Sequence, residues 1–425
     1  PSEIGYAFKS YAGSQIGIQV LPALAGVGFI CGPKISSYML AGGTLSWFVL
    51  MPAIALFGAD ATIFPGTAPI SELLAANGPS ALWSNYIKYI GAGAVATGGM
   101  ISLIKSFPLI VRTFKQAMSS MSKKRSNTTL VRTQQDLPMP ILLVVLLVIV
   151  VAIWLIPAFP VSPLGALMIV VFGFFFATVS SRMVGLIGSS NNPVSGMAIA
   201  TLIIATLALK ATGTTGTKGM VGAIAIGGII CVIAAIAGDT SQDLKTGFIV
   251  GATPKKQQIG ELIGVIVSAA AIGGVLYLLN EAWSYGSKEL PAAQATMMKM
   301  LVEGIMNAEL PWGLILIGVF IAIVVEIIKV PVMPFAVGMY LPFSLSAGIM
   351  AGGAVRFLVE KIKGTDEEKK ARTDKGVLFT SGLIAGEGIT GILLAGFAVA
   401  KLDVALKFSL PQVGSLIIFI ALLGG

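Results

Sequence analysis

The sequence lacks histidine and contains only two cysteines, Cys31 and Cys231, in 425 residues. Without histidine the chain lacks the usual near-neutral titrating side chain and the commonest transition-metal ligand. A Ser-His catalytic pair is therefore excluded, although a Ser-Lys pair stays formally open, and we expect no enzyme, cofactor or metal site. Both cysteines lie in apolar stretches, which favours small buried side chains over a disulfide framework.

Charge is also scarce. Charged residues make up 11% of the chain, against roughly 25% in an ordinary soluble domain. Residues 141–156 read ILLVVLLVIVVAIWLI without one polar side chain, close to the roughly 20 residues that a spanning helix needs. In lipid the backbone polar groups must be satisfied internally, so only helices or a closed barrel span a membrane. Runs this long, without alternation, exclude a barrel.

The sequence therefore predicts an all-α, polytopic membrane protein with about twelve hydrophobic segments. These segments are 15–32, 36–57, 86–110, 138–156, 164–187, 194–209, 220–238, 259–279, 311–328, 335–355, 376–400 and 411–425. Glycine is frequent, at 51 residues, and allows close approach of helix backbones. Pro331, Pro334 and Pro342 predict broken or re-entrant helices, which in membrane proteins line cavities.

The basic residues are clustered. Of the 28 Lys and Arg residues, six lie in 112–132 and seven in 356–375. Membrane topology explains such clusters better than nucleic-acid binding does, and it places 112–132 in the cytoplasm. Counting segments forward then puts 356–375 outside, against the positive-inside rule, so we expect a re-entrant segment nearby.

An internal repeat relates 20–49 to 330–359 without a gap, a correspondence that we call the repeat shift. Val20, Val27, Gly28, Ser36, Ala41, Gly42, Gly43 and Val49 recur as Val330, Val337, Gly338, Ser346, Ala351, Gly352, Gly353 and Val359. Duplicated halves are typical of transporters. We predict that residues 1–115 are the C-terminal part of a first transmembrane repeat and 116–425 a second repeat. The N-terminal part of the first repeat would then lie outside these residues.

Three carboxyl groups are candidates for proton coupling, because ionisable side chains at membrane depth are expensive and functional by default. Glu387 lies well inside an apolar segment, between two glycines, and a structural carboxyl is its alternative role. Glu326 is followed three residues later by Lys329, at ion-pair spacing on a helix. Asp239 directly follows an apolar run.

Three polar stretches supply the substrate-binding candidates. In SSNNPVSGM, Asn191, Asn192 and Ser195 precede or begin a helix whose free N–H groups could face a carboxylate; a capped surface loop is the alternative. Gln242 and Asp243 lie in a second polar break, for which a solvated cytoplasmic loop is the alternative. Lys34 and Tyr38 follow a Gly-Pro break; there a snorkelling lysine and an interfacial tyrosine are the alternative.

Five stretches resemble the oligopeptide transporter family, in its prokaryotic branch near the yellow-stripe-like metal-chelate transporters. They are WSNYIKYIGAGAVATGG at 83–99, NNPVSGMAIATL at 191–202, AGDTSQDLKTGFIVGATPKKQQIGELIG at 237–264, PFAVGMYLPFSLS at 334–346 and SGLIAGEGITGILLAG at 381–396. The resemblance spans nearly the whole chain. It implies a secondary transporter of the prokaryotic inner membrane that moves peptides or metal complexes of small chelators with protons. Without histidine, coupling would fall to carboxylates and a metal would be recognised through its chelator.

Two functions stay open at this point. The first is a proton-coupled symporter with alternating access, favoured by buried carboxylates and broken helices. The second is a passive channel or facilitator for small polar solutes. The expected partners are a small peptide or metal-chelate substrate, protons and the lipid bilayer, not nucleic acid, and a homo-oligomer is left open.

Overall fold

The structure is a computed structural model that describes residues 3–8, 10–122, 131–156, 160–187, 194–287, 289–307, 310–402 and 412–424. Within them, eight helices are long and apolar enough to cross a membrane. They are Pro22–Phe57, Arg132–Leu155, Pro163–Gly185, Val194–Ala211, Gly216–Val250, Pro254–Trp283, Phe343–Lys361 and Asp366–Val399. The predicted all-α, polytopic membrane fold is confirmed.

The described part of the chain begins with two antiparallel strands, in which Glu3 pairs with Gln19 and Ala7 with Gln15. The elements up to residue 122 are β1 (Glu3–Ala7), β2 (Gln15–Gln19), α1 (Pro22–Leu45), α2 (Met51–Phe57), α3 (Ile70–Asn77), α4 (Pro79–Leu82) and α5 (Lys88–Ser122). A π-helical turn, Ser46–Leu50, joins α1 to α2 without interruption, and a second one, Trp83–Ile87, joins α4 to α5.

Eleven further helices are described. They are α6 (Met139–Leu155), α7 (Pro163–Ile187), α8 (Val194–Ala211), α9 (Gly216–Val250), α10 (Pro254–Trp283), α11 (Ala293–Asn307), α12 (Trp312–Ile327), α13 (Val332–Tyr340), α14 (Phe343–Lys361), α15 (Asp366–Val399) and α16 (Gln412–Gly424). The chain divides into two compact units, one of residues 1–98, 275–293 and 311–425, the other of 99–274 and 294–310.

In the first unit, α1 packs against α13, α14 and α15. Gly28 of α1 lies so close to α14 that a β-carbon there would overlap the carbonyl oxygen of Ile349. The repeat shift carries this pair onto Gly338 and Met39, and the same contact occurs there: a β-carbon on Gly338 would overlap the carbonyl oxygen of Met39. Small residues are what allow such backbone approach between membrane helices.

A second pair of contacts repeats this relation. A β-carbon on Gly42 would overlap the carbonyl oxygen of Phe335, and one on Gly352 would overlap that of Ala25. Under the repeat shift, Gly352 corresponds to Gly42 and Phe335 corresponds to Ala25. Both contacts are therefore reciprocal under the correspondence found in the sequence.

In the second unit, α9 packs against α7 and α8. The core side of α9 carries small and branched residues, with Ile226, Ile230 and Ala234 fully buried. Polar contacts join α9 to α7, since Ser180 donates its hydroxyl to the carbonyl oxygen of Ala234 and Ser241 donates to that of Ser181.

Two long helices bury none of their residues against the described part of the protein. Neither α6 nor α10 has a buried residue, although α6 is nearly all Leu, Val and Ile. In water such faces would be large exposed apolar patches. Lipid contact explains them, as expected for a chain that spans a membrane.

Several predicted segment boundaries are wrong. Segment 15–32 begins with β2 and not with a helix, and segments 15–32 and 36–57 belong to one span, Pro22–Phe57, which is interrupted between them at Gly32. Segment 335–355 is divided between α13 and α14. Pro331 and Pro342 each directly precede a helix, as predicted for helix breakers, whereas Pro334 lies in the first turn of α13, where proline is tolerated.

The basic stretch 356–375 is not one loop. Helix α14 continues to Lys361 and α15 begins at Asp366, which leaves only a short turn between them. Thr365 begins α15 with a capping box: its hydroxyl accepts from the N–H of Glu368, and the Glu368 carboxylate accepts from the N–H of Thr365. The side of the membrane on which this turn lies stays a prediction.

Candidate functional site

Helix α1 is broken near its middle. Gly32 has φ 82° and ψ 169°, a conformation that glycine adopts without the steric cost of a side chain. Pro33 follows and has no N–H, so the carbonyl of Phe29, four residues earlier, loses its normal helical donor. The break separates residues 22–31, which we call the α1 half-helix, from the rest of α1.

Other groups satisfy the carbonyls at the break. Arg356 of α14 donates Nη1–H to the carbonyl oxygens of Phe29 and Ile30, at 3.0 and 2.8 Å. Ser36 donates its hydroxyl to Gly32 at 2.9 Å. Arg356 is itself oriented by Glu360, whose carboxylate accepts from Nε at 2.8 Å. The negative end of the α1 half-helix therefore faces a guanidinium, the favourable sign for a helix C-terminus.

Glu387 lies at the opposite end of the same half-helix. Its carboxylate Oε2 accepts a hydrogen bond from the backbone N–H of Ala23 at 2.8 Å. Ala23 is in the first turn of α1, where N–H groups have no helical partner and the dipole is positive. Glu387 is half-buried, and it is the one charged residue of α15 between Gly376 and Val399.

A comparable break separates α13 from α14. Pro342 has no N–H, so the carbonyl of Gly338 lacks the donor that a continuous helix would provide. Ser46 donates to the carbonyl oxygen of Met339 at 3.2 Å, and Trp83 donates its indole Nε1–H to that of Tyr340 at 3.1 Å. Here two neutral donors do what the charged Arg356 does at the break of α1.

A cavity of about 400 Å³ lies beside the α1 half-helix, within the range of small-molecule sites. Its lining includes Ala25, Gly26 and Phe29 of α1 and Gly376, Phe379 and Thr380 of α15. Arg372 and Lys375 also line it and make it basic. The side chain of Arg372 is engaged with the carbonyl oxygens of the turn before α15, so Lys375 is the more available cation.

The other coupling candidates lie apart from this arrangement. Glu326 is half-buried near the end of α12. The helical spacing predicted for Glu326 and Lys329 is wrong, because α12 ends at Ile327 and Lys329 has a left-handed backbone with φ 60°. Asp239 is exposed on α9.

The predicted polar break after residue 238 is wrong. Helix α9 continues through it to Val250 and ends at Gly251, whose left-handed conformation forms the C-cap. Gln242 and Asp243 are exposed on this helix. Helix α10 approaches this part of α9, since Gln257 donates its side-chain N–H to the carbonyl oxygen of Asp243 at 3.2 Å, a proximity that sequence spacing did not indicate.

The remaining substrate candidates are only partly described. Asn191 and Asn192 lie outside the described residues. Ser195 is exposed in the first turn of α8. Its predicted approach to Asp239 and Asp243 stays a prediction. A groove of about 500 Å³ in the second unit is lined by residues of α7 and α9, namely Thr178, Ser181, Arg182, Gly185, Ser241, Leu244 and Lys245.

Lys34 and Tyr38 lie on α1 directly after its break. Lys34 is exposed and Tyr38 half-buried. The Gly-Pro pair thus predicted the break, but the sequence did not indicate that Arg356 donates to the carbonyl groups there. Among the described residues, no group of three or more cysteine, aspartate or glutamate side chains is placed to hold a metal ion.

Comparison with known proteins places this architecture in a family. A family described as "OPT oligopeptide transporter protein" matches residues 4–398. The chain belongs to the OPT family. This membership confirms the resemblance seen in the sequence, and the eight candidate spans make this OPT chain a multi-pass membrane protein.

Individual relatives cover most of this OPT chain. A Haemophilus influenzae protein named "Putative oligopeptide transporter" is 29% identical over 433 residues, which cover 89% of this chain and 66% of the relative. A rice protein named "Probable metal-nicotianamine transporter YSL11" is 21% identical over 417 residues, 90% of this chain and 57% of the relative. The Arabidopsis "Metal-nicotianamine transporter YSL2" is 22% identical over 417 residues, which cover 88% of this chain and 59% of the relative. The chain thus spans less than two thirds of the length of these relatives.

Proposed function

We propose that this OPT protein is a proton-coupled symporter of oligopeptides or small metal-chelate complexes, working by alternating access in a prokaryotic inner membrane. The observation that carries the proposal is the contact between Glu387 and the N–H of Ala23. It joins an ionisable group inside an apolar helix to the end of a broken helix. Carboxyl groups in such positions are typical of proton relays in transporters.

The contact gives protonation a mechanical effect. An ionised carboxylate at a helix N-terminus makes a charge-assisted hydrogen bond and a favourable dipole interaction. A neutral carboxyl has neither the charge-assisted hydrogen bond nor the favourable dipole interaction, so its hydrogen bond to the N–H of Ala23 is weaker. Proton uptake by Glu387 would then loosen the α1 half-helix, whose other end is already separated at Gly32.

The broken helices support alternating access. Discontinuous helices at a repeat interface are where duplicated transporters bind substrate and coupling ions. The reciprocal contacts of Gly28 with Ile349 and of Met39 with Gly338 support a pseudo-two-fold axis between α1 and α13–α14. We propose that residues 1–115 and 116–425 contribute to two such repeats, with Gly42 and Gly352 at equivalent positions.

The cavity beside the α1 half-helix is the proposed substrate region. Lys375 supplies a positive charge and Phe379 an apolar wall. A peptide and a carboxylate-bearing chelator share this requirement, since each presents an anionic group on an organic skeleton. The relatives named for oligopeptides and for metal-nicotianamine leave both substrate classes in the proposal.

The test is uptake by the purified protein in proteoliposomes, with tetra-alanine and iron–nicotianamine as probes. Glu387→Gln keeps an oxygen acceptor for Ala23 but removes the titration. Accumulation driven by an inward proton gradient should be lost, while exchange without a gradient survives. Glu303→Gln, at a residue of α11 whose side chain is 43% exposed, is the matched control and should behave as the wild type.

Two results would contradict the proposal. A Glu387→Gln variant that still accumulates substrate in response to a proton gradient would make Glu387 structural, with Glu326 or Asp239 as the next candidate. Wild-type uptake that only equilibrates the probe, whatever the gradient, would instead indicate a passive channel or facilitator.

A further inference from the structure

The break of α1 presents two consecutive carbonyl oxygens, those of Phe29 and Ile30, to a side chain of α14. Phe29 loses its helical donor to Pro33, and Ile30 lies just before the non-helical Gly32. In transporters with broken helices, carbonyls at half-helix C-terminal ends coordinate the coupling cation. The question raised by the structure is what occupies this position here.

Arg356 occupies it. Its guanidinium reaches both carbonyl oxygens, at 3.0 and 2.8 Å, and Glu360 fixes its orientation through Nε. Gly32 lies directly against the guanidinium, since a β-carbon there would be 3.4 Å from Nη1. The planar, permanently charged guanidinium serves both carbonyls from Nη1 while its Nε donates to Glu360, a fixed arrangement that a flexible lysine ammonium does not reproduce.

The equivalent position in the other broken helix carries no such charge. Under the repeat shift, Arg356 corresponds to Ser46, and the carbonyl of Phe29 corresponds to that of Met339. Ser46 donates to Met339 at 3.2 Å. Both half-helix ends therefore present a carbonyl group that accepts a hydrogen bond from a side chain. At the end of the α1 half-helix this donor is the charged side chain of Arg356.

We propose that Arg356 is a positioning residue that takes the place of a coupling cation at the break of α1, and so holds the α1 half-helix for the transport cycle. The inference rests on the proposed transport function. It assigns the two ends of the half-helix different tasks: a fixed positive charge at Phe29 and Ile30, and a titrating carboxyl at Ala23.

The test is chemical rescue. Arg356→Ala removes the donor from the carbonyl oxygens of Phe29 and Ile30, and a free guanidinium ion fits the space that the side chain leaves. We expect uptake of tetra-alanine or iron–nicotianamine to fall roughly tenfold or more, the effect of losing a hydrogen bond to a charged group. Millimolar guanidinium chloride should restore part of it in a saturable manner, whereas sodium chloride at the same concentration should not.

The matched control is Arg132→Ala. Arg132 donates to the carbonyl oxygen of Gly251 at 2.9 Å, at the C-terminal end of the unbroken helix α9. This variant also loses an arginine from a helix end, and it should transport as the wild type without responding to guanidinium. Arg356→Lys, which supplies charge without the planar fork, should give an intermediate uptake rate.

A purified-protein measurement separates this inference from the proposed function. Millimolar guanidinium should raise the melting temperature of Arg356→Ala and leave that of the wild type unchanged, whether or not either probe is transported. Wild-type uptake of neither probe would refute the proposed function alone. If Arg356→Ala is too unstable to purify, Arg356→Lys decides, because wild-type uptake by that variant overturns the inference. Equal rescue by sodium chloride, or absent rescue in a folded Arg356→Ala protein, also overturns it.

Discussion

Ser46 and Arg356 are equivalent under the repeat shift, and so are the carbonyl groups to which they donate, those of Met339 and Phe29. The backbone relation is the same at both sites, but the chemistry differs. A hydroxyl makes a neutral hydrogen bond, whereas a guanidinium adds a full charge to the helix end. The two breaks should therefore respond unequally to substitution.

The close approach of α1 to α14 predicts a large effect of one methyl group. Gly352→Ala would force a β-carbon onto the carbonyl oxygen of Ala25, and overpacking of this kind costs about 1–3 kcal/mol. We expect a lower melting temperature in detergent, and a similar loss for the reciprocal Gly42→Ala. Gly388→Ala is the control, because no atom lies within 4 Å of its added β-carbon. Equal effects at Gly352 and Gly388 would contradict the predicted packing.

The positive φ of Gly32 predicts a second effect. Alanine at φ 82° and ψ 169°, a region that essentially only glycine adopts, is strained by about 1–3 kcal/mol, and its methyl group would contact the Arg356 guanidinium. Gly213→Ala is the control, because Gly213 also has a positive φ, 80°, with no atom near the added carbon. Both variants should lose stability in thermal melts, but only Gly32→Ala should lose uptake. Loss of uptake in both would assign the effect to strain alone.

Glu387 should also matter for stability. Glu387→Ala leaves the N–H of Ala23 without its acceptor, and loss of such an acceptor at a helix start costs about 1 kcal/mol. Glu387→Gln retains an acceptor and should melt within a fraction of that difference from the wild type. Denaturation of the purified variants measures this difference, with the half-exposed Glu303→Ala as the control. If alanine and glutamine melt alike, the contact with Ala23 contributes nothing.

The capping box of α15 gives a local prediction. Thr365→Ala removes the hydroxyl that accepts from the N–H of Glu368 and should destabilise the protein by about 1 kcal/mol. Thr373→Ala is its control, because the Thr373 hydroxyl only donates back to the carbonyl of Lys369 within the helix. Hydrogen exchange of the first turn of α15 should quicken in the first variant alone.

The sequence was sufficient for the membrane fold because apolar runs of spanning length have few other solutions. It also located Glu387, since one carboxyl in a long charge-free stretch is conspicuous. The Gly-Pro pair predicted a break near Lys34, where Gly32 and Pro33 remove helical geometry and a donor. Each of these features depends on residues that are close together in the sequence, so it could be predicted without knowledge of distant contacts.

Other features depended on distant contacts. Arg356 looked like part of a basic loop, because nothing near it in sequence indicates that its partners are Phe29 and Ile30, close to the other end of the chain. The polar run from Asp239 appeared to end a helix. Periodicity cannot place a helix end without a breaker, and α9 continues until Gly251 supplies one.

The capped α1 half-helix also has an electrical consequence. The guanidinium of Arg356 faces the carbonyl groups, but its pairing with Glu360 at 2.8 Å makes the sum of the two charges zero, so the net charge of the assembly is that of Glu387. It is therefore negative when Glu387 is ionised and neutral when it is protonated. A membrane voltage acts on the first form with about 2.3 kcal/mol per 100 mV for a full crossing, and exerts no net force on the second.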